Sequence, residues 1–298
     1  MKESAHFTRI ERILEYIHAH IDTPLTVELL AQKSCWSRWQ LQRTFLKETN
    51  QTVAQYVREI KLSIAAEKLI LSKDRVMDIA LNCGFNSEVS FNRAFKQLFQ
   101  CSPSTYRKRG QRIGLKIPLA SAMPIHQAYE VKKILLQIRF EHIEGFHFYG
   151  VCGEIQGLFS KQPNYSDAIP IIWQKMIKFT GLKPPFKTPV MGIVDTRENN
   201  NHLSTLYWAG ARVNTEKINS LKAENLLYIP EQTYAVIPHT GVVTHLDATL
   251  KWFLSTWLPQ SDYQSAKGFD LEMYQAGFDI HSNESTMECW VPIQRKSI

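Results

Sequence analysis

Apolar residues recur every three or four positions through the first third of the chain, which is the spacing of one helical face. Ile10, Ile13, Leu14 and Ile17 open the pattern, and a break at residues 22–24 ends it. Further helices are predicted over residues 27–33, 37–50, 52–71, 76–81 and 87–99. Ser37 is suited to cap the third of these helices. Residues 7–109 are therefore expected to be mostly helical.

This helical region contains an internal repeat. Arg43-Thr44-Phe45 recurs 50 residues later as Arg93-Ala94-Phe95, and each half has a short helix, a tight turn and a second helix. That order is the helix-turn-helix plan, and its duplication is harder to explain by chance than either half alone. The helix predicted between the halves, over residues 52–71, would be roughly 30 Å long at 1.5 Å per residue.

The second helix of each half has an apolar face and a polar face. Leu41 and Phe45 face a core in the first half, while Trp39, Gln42 and Arg43 share the other side. A guanidinium group can bind guanine with two hydrogen bonds, and an amide can bind adenine in the same way. The alternative is a solvated helix surface, the commonest environment of an arginine. The repeat and the 30 Å spacer favour DNA readout.

From about residue 131 the pattern changes to alternation, which is typical of strands. Strands are predicted over residues 131–140, 146–154, 190–194, 203–212, 234–239, 269–274 and 286–293, and helices over 169–180 and 244–258. The order strand, helix, strand, strand occurs twice. We therefore predict a multidomain protein, with an all-α double helix-turn-helix domain (1–112), a linker (113–129) and an α+β domain of two pseudo-symmetric halves (130–298).

Charge separates the same two regions. Residues 1–120 carry 19 Lys and Arg against 11 Asp and Glu, and the remainder carries 16 against 17. A polyanionic partner for the first region is the natural inference. The sequence has no signal-peptide pattern, no apolar run of membrane-spanning length and no CxxC spacing among its five cysteines, which favours reduced thiols. We expect a cytoplasmic, nucleoid-associated protein with no membrane partner.

The stretches SRWQLQRTF and SEVSFNRAFKQLFQCSPSTYR resemble the DNA-binding domain of AraC/XylS-family regulators, and the first is most similar to the Mar/Sox/Rob branch. The resemblance implies activation of transcription through RNA polymerase at double-stranded promoter DNA. Leu46, Glu88 and Val89 depart from that branch, so we expect the first half-site to be read more strictly. The DNA-contact candidates are Arg38, Trp39, Gln42, Arg43, Ser90, Asn92, Arg93 and Lys96.

Alternation alone would place Glu272, in the stretch GFDLEMYQ, on the solvent face of its strand. However, FDLEMY and the later MECWVPI resemble strands of the gyrase-inhibitor-like effector domain. That resemblance implies a groove for a cationic or amphipathic molecule, with Glu272 as the pocket carboxylate. A cation would relieve the cost of burying this carboxylate, and aromatic faces would add attraction. The remaining ligand-site candidates are Tyr149, Trp173, Tyr207, Trp208 and Glu288.

Patterns typical of enzymes are missing. The ten histidines form no HExxH motif, no GxSxG nucleophile motif occurs, and GVCGEIQG lacks the GxGxxG spacing. We therefore expect no catalytic residues, no bound metal and no cofactor. The predicted function is a DNA-binding transcriptional activator that binds an asymmetric site as a monomer and senses a small molecule in a multidrug or stress response. A small-molecule hydrolase and a protein-docking module remain alternatives for the C-terminal domain.

Overall fold

The structure, a computed structural model, describes residues 2–122, 134–158, 160, 162–182, 184–197, 204–280 and 282–296. The chain divides into two compact units. The helical unit contains Met1–Ser121 and Ile134–Glu141, and the sheet unit contains Ala122–Lys133 and His142–Ile298. Part of the predicted linker and part of the strand predicted at 131–140 lie outside the described residues. The proposed domain boundaries stay predictions.

The helical unit contains each helix that the apolar spacing predicts, and one more at its end. Its helices are α1 (Lys2–Ala19), α2 (Val27–Ser34), α3 (Arg38–Thr49), α4 (Val53–Leu71), α5 (Val76–Asn82), α6 (Glu88–Phe99) and α7 (Pro103–Arg109). The second helices of the two halves, α3 and α6, are called the recognition helices below. The 19 residues of α4 correspond to a length of about 28 Å.

Local sequence signals explain where the recognition helices begin. Ser37 Oγ accepts a hydrogen bond from the Gln40 amide, and Gln40 Oε1 accepts one from the Ser37 amide, at 3.2 and 3.0 Å. This capping box confirms Ser37 as the N-cap and satisfies two amides that the helix leaves unpaired. Ser87 Oγ accepts from the Ser90 amide at 3.2 Å and caps α6 in the corresponding place.

The structure extends the 50-residue repeat beyond the recognition helices. Asn50 and Gln100, which end α3 and α6, both adopt the left-handed conformation with φ of 56°. Two buried tyrosines, Tyr56 and Tyr106, lie 50 residues apart and pack on phenylalanines that are also 50 residues apart. The ring centroids are 5.7 Å apart for Phe45–Tyr56 and 5.5 Å apart for Phe95–Tyr106. The two helix-turn-helix halves are thus built on the same core contacts.

The chain after α7 packs along α4. Arg112 and Lys116 pair with Glu67 and Glu59 of α4 at 2.8 and 2.5 Å. Leu119 is buried in the core of the first helix-turn-helix half. The short strands here are β1 (Leu115–Lys116), β2 (Ala120–Ala122), β3 (Ile134–Leu136) and β4 (Arg139–Ile143), with β1 antiparallel to β4 and β2 beside β3.

The sheet unit is α+β, as predicted. Its strands after β4 are β5 (Phe146–Ile155), β6 (Val190–Asp195), β7 (Thr205–Val213), β8 (Leu226–Ile229), β9 (Gln232–Thr240), β10 (Tyr263–Ser265), β11 (Phe269–Tyr274) and β12 (Thr286–Arg295). Its helices are α8 (Tyr165–Thr180), α9 (Leu246–Trp252) and α10 (Leu258–Gln260), with a π-helical turn at Phe253–Trp257 and 3-10 turns at Thr215–Ser220, Ala223–Asn225 and Val243–His245.

The strands are ordered β9-β12-β11-β6-β7-β5-β8, and β10, outside this order, pairs with the last residues of β12. All of these pairs are antiparallel. The run β5-α8-β6-β7 corresponds to β9-α9-β11-β12, so the predicted order strand, helix, strand, strand occurs twice. The two halves meet where β6 pairs with β11 in the middle of the sheet.

The two faces of this sheet have separate cores. The helix face packs against α8 and includes Ile155, Tyr207 and Ala209. The opposite face has its own buried cluster, which includes Trp208 and Leu271. Because side chains alternate along a strand, neighbouring residues such as Tyr207 and Trp208 belong to different cores. This alternation decides which predicted pocket residues can meet.

Candidate DNA interface and ligand pocket

The first recognition helix presents its predicted contact residues to solvent. Leu41 and Phe45 are fully buried, whereas Trp39 is 64% exposed and Gln42 and Arg43 are also exposed. The Arg43 guanidinium lies 5.0 Å from the centre of the Trp39 ring, a cation–π distance. The pair therefore forms one flat, charged surface beside the Gln42 amide, which suits contact with base edges and sugars.

Arg38 is exposed at the start of the same helix but has a partner within the protein. Its Nη1 lies 2.7 Å from Glu28 Oε1 of α2, and both side chains are more than half exposed. The hydrogen bond from Arg38 lowers the pKa of Glu28. An exposed pair of this kind contributes little to stability, so Arg38 can exchange Glu28 for a phosphate at small cost.

The second recognition helix repeats this arrangement with different side chains. Phe91 and Phe95 are buried, and Arg93, Lys96 and Ser90 are exposed. Asn92 is half-buried. Ser90 Oγ donates to the Ser87 carbonyl at 2.8 Å, so this hydroxyl has a partner within the helix cap.

The two recognition helices differ at one exposed position. Val89, which is 78% exposed, occupies the position in α6 that Trp39 occupies in α3. The α6 surface is thus basic but lacks an aromatic ring.

A buried polar network surrounds the predicted pocket carboxylate in the sheet unit. Glu272 Oε2 accepts hydrogen bonds from the hydroxyls of Tyr207, at 2.6 Å, and Tyr274, at 2.7 Å. The Tyr207 oxygen in turn accepts from Trp173 Nε1 of α8 at 3.1 Å. Glu272 is only partly accessible and lies on the helix face. The solvent-face placement expected from alternation alone is wrong, because α8 and the aromatic side chains cover that face.

A glycine lets Glu272 reach Tyr207 across the intervening strand. Gly192 of β6 lies opposite Glu272 in the register, and Tyr207 belongs to the next strand, β7. A Cβ atom at Gly192 would come within 2.6 Å of Glu272 Oε2 and still closer to the Tyr207 hydroxyl. The missing side chain therefore creates the space in which the carboxylate and the phenol meet.

Burial raises the pKa of Glu272, and the two tyrosine hydrogen bonds oppose that rise. Asp270 lies two residues earlier on β11 and so on the same face. Burial, with repulsion from Glu272, raises the pKa of Asp270 to about 7. A cationic ligand on this partly closed face would favour the charged form of both side chains.

Further aromatic rings pack on Tyr274 and Trp173 of this network. Trp173 meets Tyr274 edge to face at 5.5 Å and lies 5.9 Å from Phe186, and Tyr274 contacts Phe278 at 4.9 Å. These rings offer π faces to a cation and apolar surface to its hydrocarbon part. The arrangement can bind a flat or amphipathic organic cation beside Glu272.

The other predicted pocket residues lie elsewhere. Tyr149 is on the helix face but packs on Phe179 near the far end of α8. Trp208 belongs to the core of the opposite face. Glu288 pairs in register with Met273 and therefore also lies on the opposite face, where its Oε2 accepts from Trp290 Nε1 at 3.1 Å. Glu288 cannot replace Glu272 in this network.

Sequence reasoning did not single out Tyr274, Asp270 or Gly192 as site residues. The signal for the first two was present, because Asp270, Glu272 and Tyr274 alternate along one strand and must share a face. Gly192 carries no such signal, because its position opposite Glu272 depends on pairing between strands almost 80 residues apart.

Other kinds of site receive no support from the described part of the chain. It contains no group of three or more His, Cys, Asp and Glu side chains arranged to hold a metal ion. No helix in that part has both the length and the apolar content needed to cross a membrane. The five cysteines are free thiols, of which Cys83, Cys101 and Cys289 are buried and Cys35 and Cys152 are exposed.

Two family models match the chain. One, a helix-turn-helix domain, covers residues 30–109, and the other, a GyrI-like small molecule binding domain, covers residues 136–294. The first match spans both helix-turn-helix halves, and the second spans both halves of the sheet unit. Together they cover the two regions that carry the exposed basic helices and the carboxylate network.

Two known regulators agree with these matches. The regulatory protein SoxS of Salmonella typhimurium is 39% identical over 105 residues, which are 35% of this chain and 98% of SoxS. The transcriptional regulator Rob of the same organism is 24% identical over 298 residues and aligns with 96% of this chain and 98% of its own length. A solved structure of SAV2435 bound to tetraphenylphosphonium is 13% identical, covers 53% of this chain and 93% of that one, and has a TM-score of 0.41.

SoxS and Rob are transcriptional regulators and not enzymes. The match to Rob, at 96% of this chain, runs through both units. The chain is therefore a DNA-binding transcriptional regulator of the AraC family, in the Mar/Sox/Rob branch, with a C-terminal GyrI-like domain.

Proposed function

We propose that one molecule of this regulator binds an asymmetric promoter site, with α3 in one major groove and α6 in the next. The observation that carries this proposal is the duplication: two capped helices, each with buried phenylalanine on one side and an exposed arginine beside an amide on the other. Helix α4, which connects the two halves, is about 28 Å long, and one turn of B-DNA is roughly 34 Å long. The two lengths are similar, so α3 and α6 can enter successive major grooves.

In this proposal Trp39, Gln42 and Arg43 read bases of the first half-site, and Asn92 and Arg93 read bases of the second. Ser90, one turn before Arg93 on α6, also contacts a base, and the exposed Arg38 and Lys96 contact phosphates. Bound in this way, the protein activates transcription by contacting RNA polymerase.

The test is a titration of purified protein against a selected asymmetric duplex, with mass photometry to count protein chains per duplex. One chain per duplex, with specific affinity lost in Arg43→Ala, supports the proposal. Two chains on a duplex of about 20 base pairs would contradict monomeric binding.

We propose further that the GyrI-like domain senses a cationic, amphipathic small molecule, as part of a multidrug or stress response. The Glu272 network carries this part, because its carboxylate is held by two phenols but paired with no cation among the described residues. A bound organic cation would neutralise Glu272 while its hydrocarbon part contacts Trp173 and Tyr274.

Thioflavin T, an aromatic cation whose emission rises when it is immobilised, is a direct probe of this pocket. Its uncharged benzothiazole parent, which lacks the N-methyl group, is the matched control ligand. Binding of the cation alone supports the proposal. Equal binding of both compounds would contradict charge recognition, hydrolysis of the probe would favour an enzyme, and no binding at all would favour a protein-docking module.

A further inference from the structure

Lys61, near the middle of α4, is a buried cation in a domain whose other basic groups mostly face solvent. It is only 8% exposed, and its ammonium donates to the Thr23 carbonyl at 2.8 Å. Burial lowers the pKa of Lys61, while Cys83 and Asp22 nearby oppose that change. Lysine is rarely buried to this extent without a specific reason.

The ammonium lies where the two helix-turn-helix halves come together. Thr23 belongs to the break that precedes α2, whereas Gly84 belongs to the turn between α5 and α6. A Cβ atom at Gly84 would lie 2.6 Å from Lys61 Nζ and 3.9 Å from the Asp22 carbonyl. The Lys61 side chain of α4 thus contacts both the entrance to the first half and the turn of the second half.

Gly84 is adapted to this contact in two ways. Its φ of +77° is a conformation that residues with a side chain rarely adopt, and any side chain would displace the ammonium. The turn that Gly84 forms leads into Ser87, the N-cap of α6. A shift at Gly84 therefore moves the start of the second recognition helix.

We propose that Lys61 is a positioning residue: it fixes the orientation of α3 relative to α6 and so sets the spacing between half-sites that the protein accepts. The proposal rests on the proposed function, namely that both helices read the same DNA molecule. Each half also packs on α4 through buried apolar residues, so we expect each half to keep its fold without Lys61. What Lys61 adds is a hydrogen bond to the entrance of the first half and close packing against the Gly84 turn of the second half.

The test compares Lys61→Met with the wild type on a series of duplexes. Methionine keeps the length and the apolar stem of lysine, and replacing a buried charge by an apolar group is often neutral for stability. The series holds both half-sites constant and adds or removes one base pair between them, which rotates and shifts one half-site relative to the other. Dissociation constants are measured by fluorescence anisotropy, with thermal unfolding measured in parallel.

For the wild type, one added or removed base pair should weaken binding by about tenfold, the size of an ordinary mismatch. For Lys61→Met this penalty should fall below about threefold, while affinity for a duplex with the first half-site alone stays unchanged. Lys68→Met, on the exposed side of α4, should keep the wild-type penalty. An undiminished spacing penalty in Lys61→Met would overturn the proposal.

Should Lys61→Met fail to fold, as judged by circular dichroism, Lys61→Gln takes its place, because its shorter amide cannot reach both turns. The spacing penalty of Lys61→Gln should likewise fall below about threefold, and an unchanged penalty again overturns the proposal. Different results would show that the proposed function itself is wrong. Arg43→Ala would then keep the specificity of the wild type, and the wild type would show no preference for half-site spacing.

Discussion

The recognition helices and the Glu272 pocket present their polar groups in opposite ways. Trp39 and Arg43 are exposed and have each other as neighbours, whereas Tyr207 is fully buried and bonded to both Trp173 and Glu272. Exposed groups stay solvated until DNA replaces the water. Their loss should therefore lower the affinity for DNA but leave the free energy of unfolding unchanged. Buried groups depend on one another, so a change in the pocket should alter binding and stability together.

The largest expected effect is on the buried side of this comparison. Glu272→Gln removes the carboxylate that would pair with a cation but keeps the size and one acceptor oxygen. Thioflavin T affinity should fall by about 2–5 kcal/mol, or at least roughly thirtyfold, as for one partner of a buried ion pair. Fluorescence titration measures this. Glu288→Gln, on the opposite face, is the matched control, and an equal loss there would contradict the assignment of the pocket.

Gly192→Ala should damage the network without removing any of its polar atoms. The added methyl group would collide with Glu272 Oε2 and the Tyr207 hydroxyl, so we expect about 1–3 kcal/mol lower free energy of unfolding, together with weaker cation binding. Urea unfolding checks the first effect. Gly157→Ala, whose Cβ would meet no atom within 4 Å, is the control. Equal stability of the two variants would contradict the close approach.

Arg43→Ala tests the exposed residues of the recognition helices. We expect a loss of about 1–3 kcal/mol on the specific site, little change on random DNA and an unchanged unfolding temperature. Arg93→Ala should cost less, because α6 has Val89 where α3 has the stacked Trp39. Anisotropy titrations on both duplexes measure these differences. Equal losses on specific and random DNA would remove Arg43 from base readout.

Burial of Asp270 makes the stability of the sheet unit depend on pH. With its pKa raised to about 7, folded Asp270 holds a proton that the unfolded chain has already released above its ordinary pKa near 4. Its contribution to stability is complete below pH 4 and is lost as the pH rises through 7, at no more than about 1.4 kcal/mol per pH unit. Asp270→Asn should flatten this slope in urea unfolding at pH 5, 6 and 7. A slope unchanged by the substitution would contradict a buried, protonated Asp270.

The smallest effect belongs to a phosphate contact. Lys96→Ala should weaken binding to all sequences alike and reduce the slope of log affinity against log salt by about 1. Titrations at several salt concentrations measure the slope. Sequence-selective weakening, or an unchanged slope, would show that Lys96 is not bound to phosphate.

The same contrast explains what the sequence could predict. The recognition helices follow from local signals, namely the Ser37 cap, the spacing of Leu41 and Phe45, and the 50-residue repeat, and the structure confirms these elements. The strand FDLEMY is also found at its predicted residues. Local patterns sufficed here because caps and faces depend on residues only a few positions apart.

Other features depended on distant pairing. The faces of Trp208 and Glu288 follow from strand register, which alternation within one segment does not supply. Strands β8 and β10 were not predicted, because three or four residues carry too short a pattern. The helix predicted to begin at residue 169, just before Pro170, begins at Tyr165 and accommodates the proline in its interior. The helix predicted over 244–258 is interrupted by the π-helical turn.

The most direct test of the central claim is a hydroxyl-radical footprint of the wild type, Arg43→Ala and Arg93→Ala on one selected promoter duplex. With one chain bound, the wild type should protect two segments about one helical turn apart on one face of the DNA. Arg43→Ala should release protection at one segment and Arg93→Ala at the other. A single protected segment, or loss of the same segment in both variants, would contradict the account.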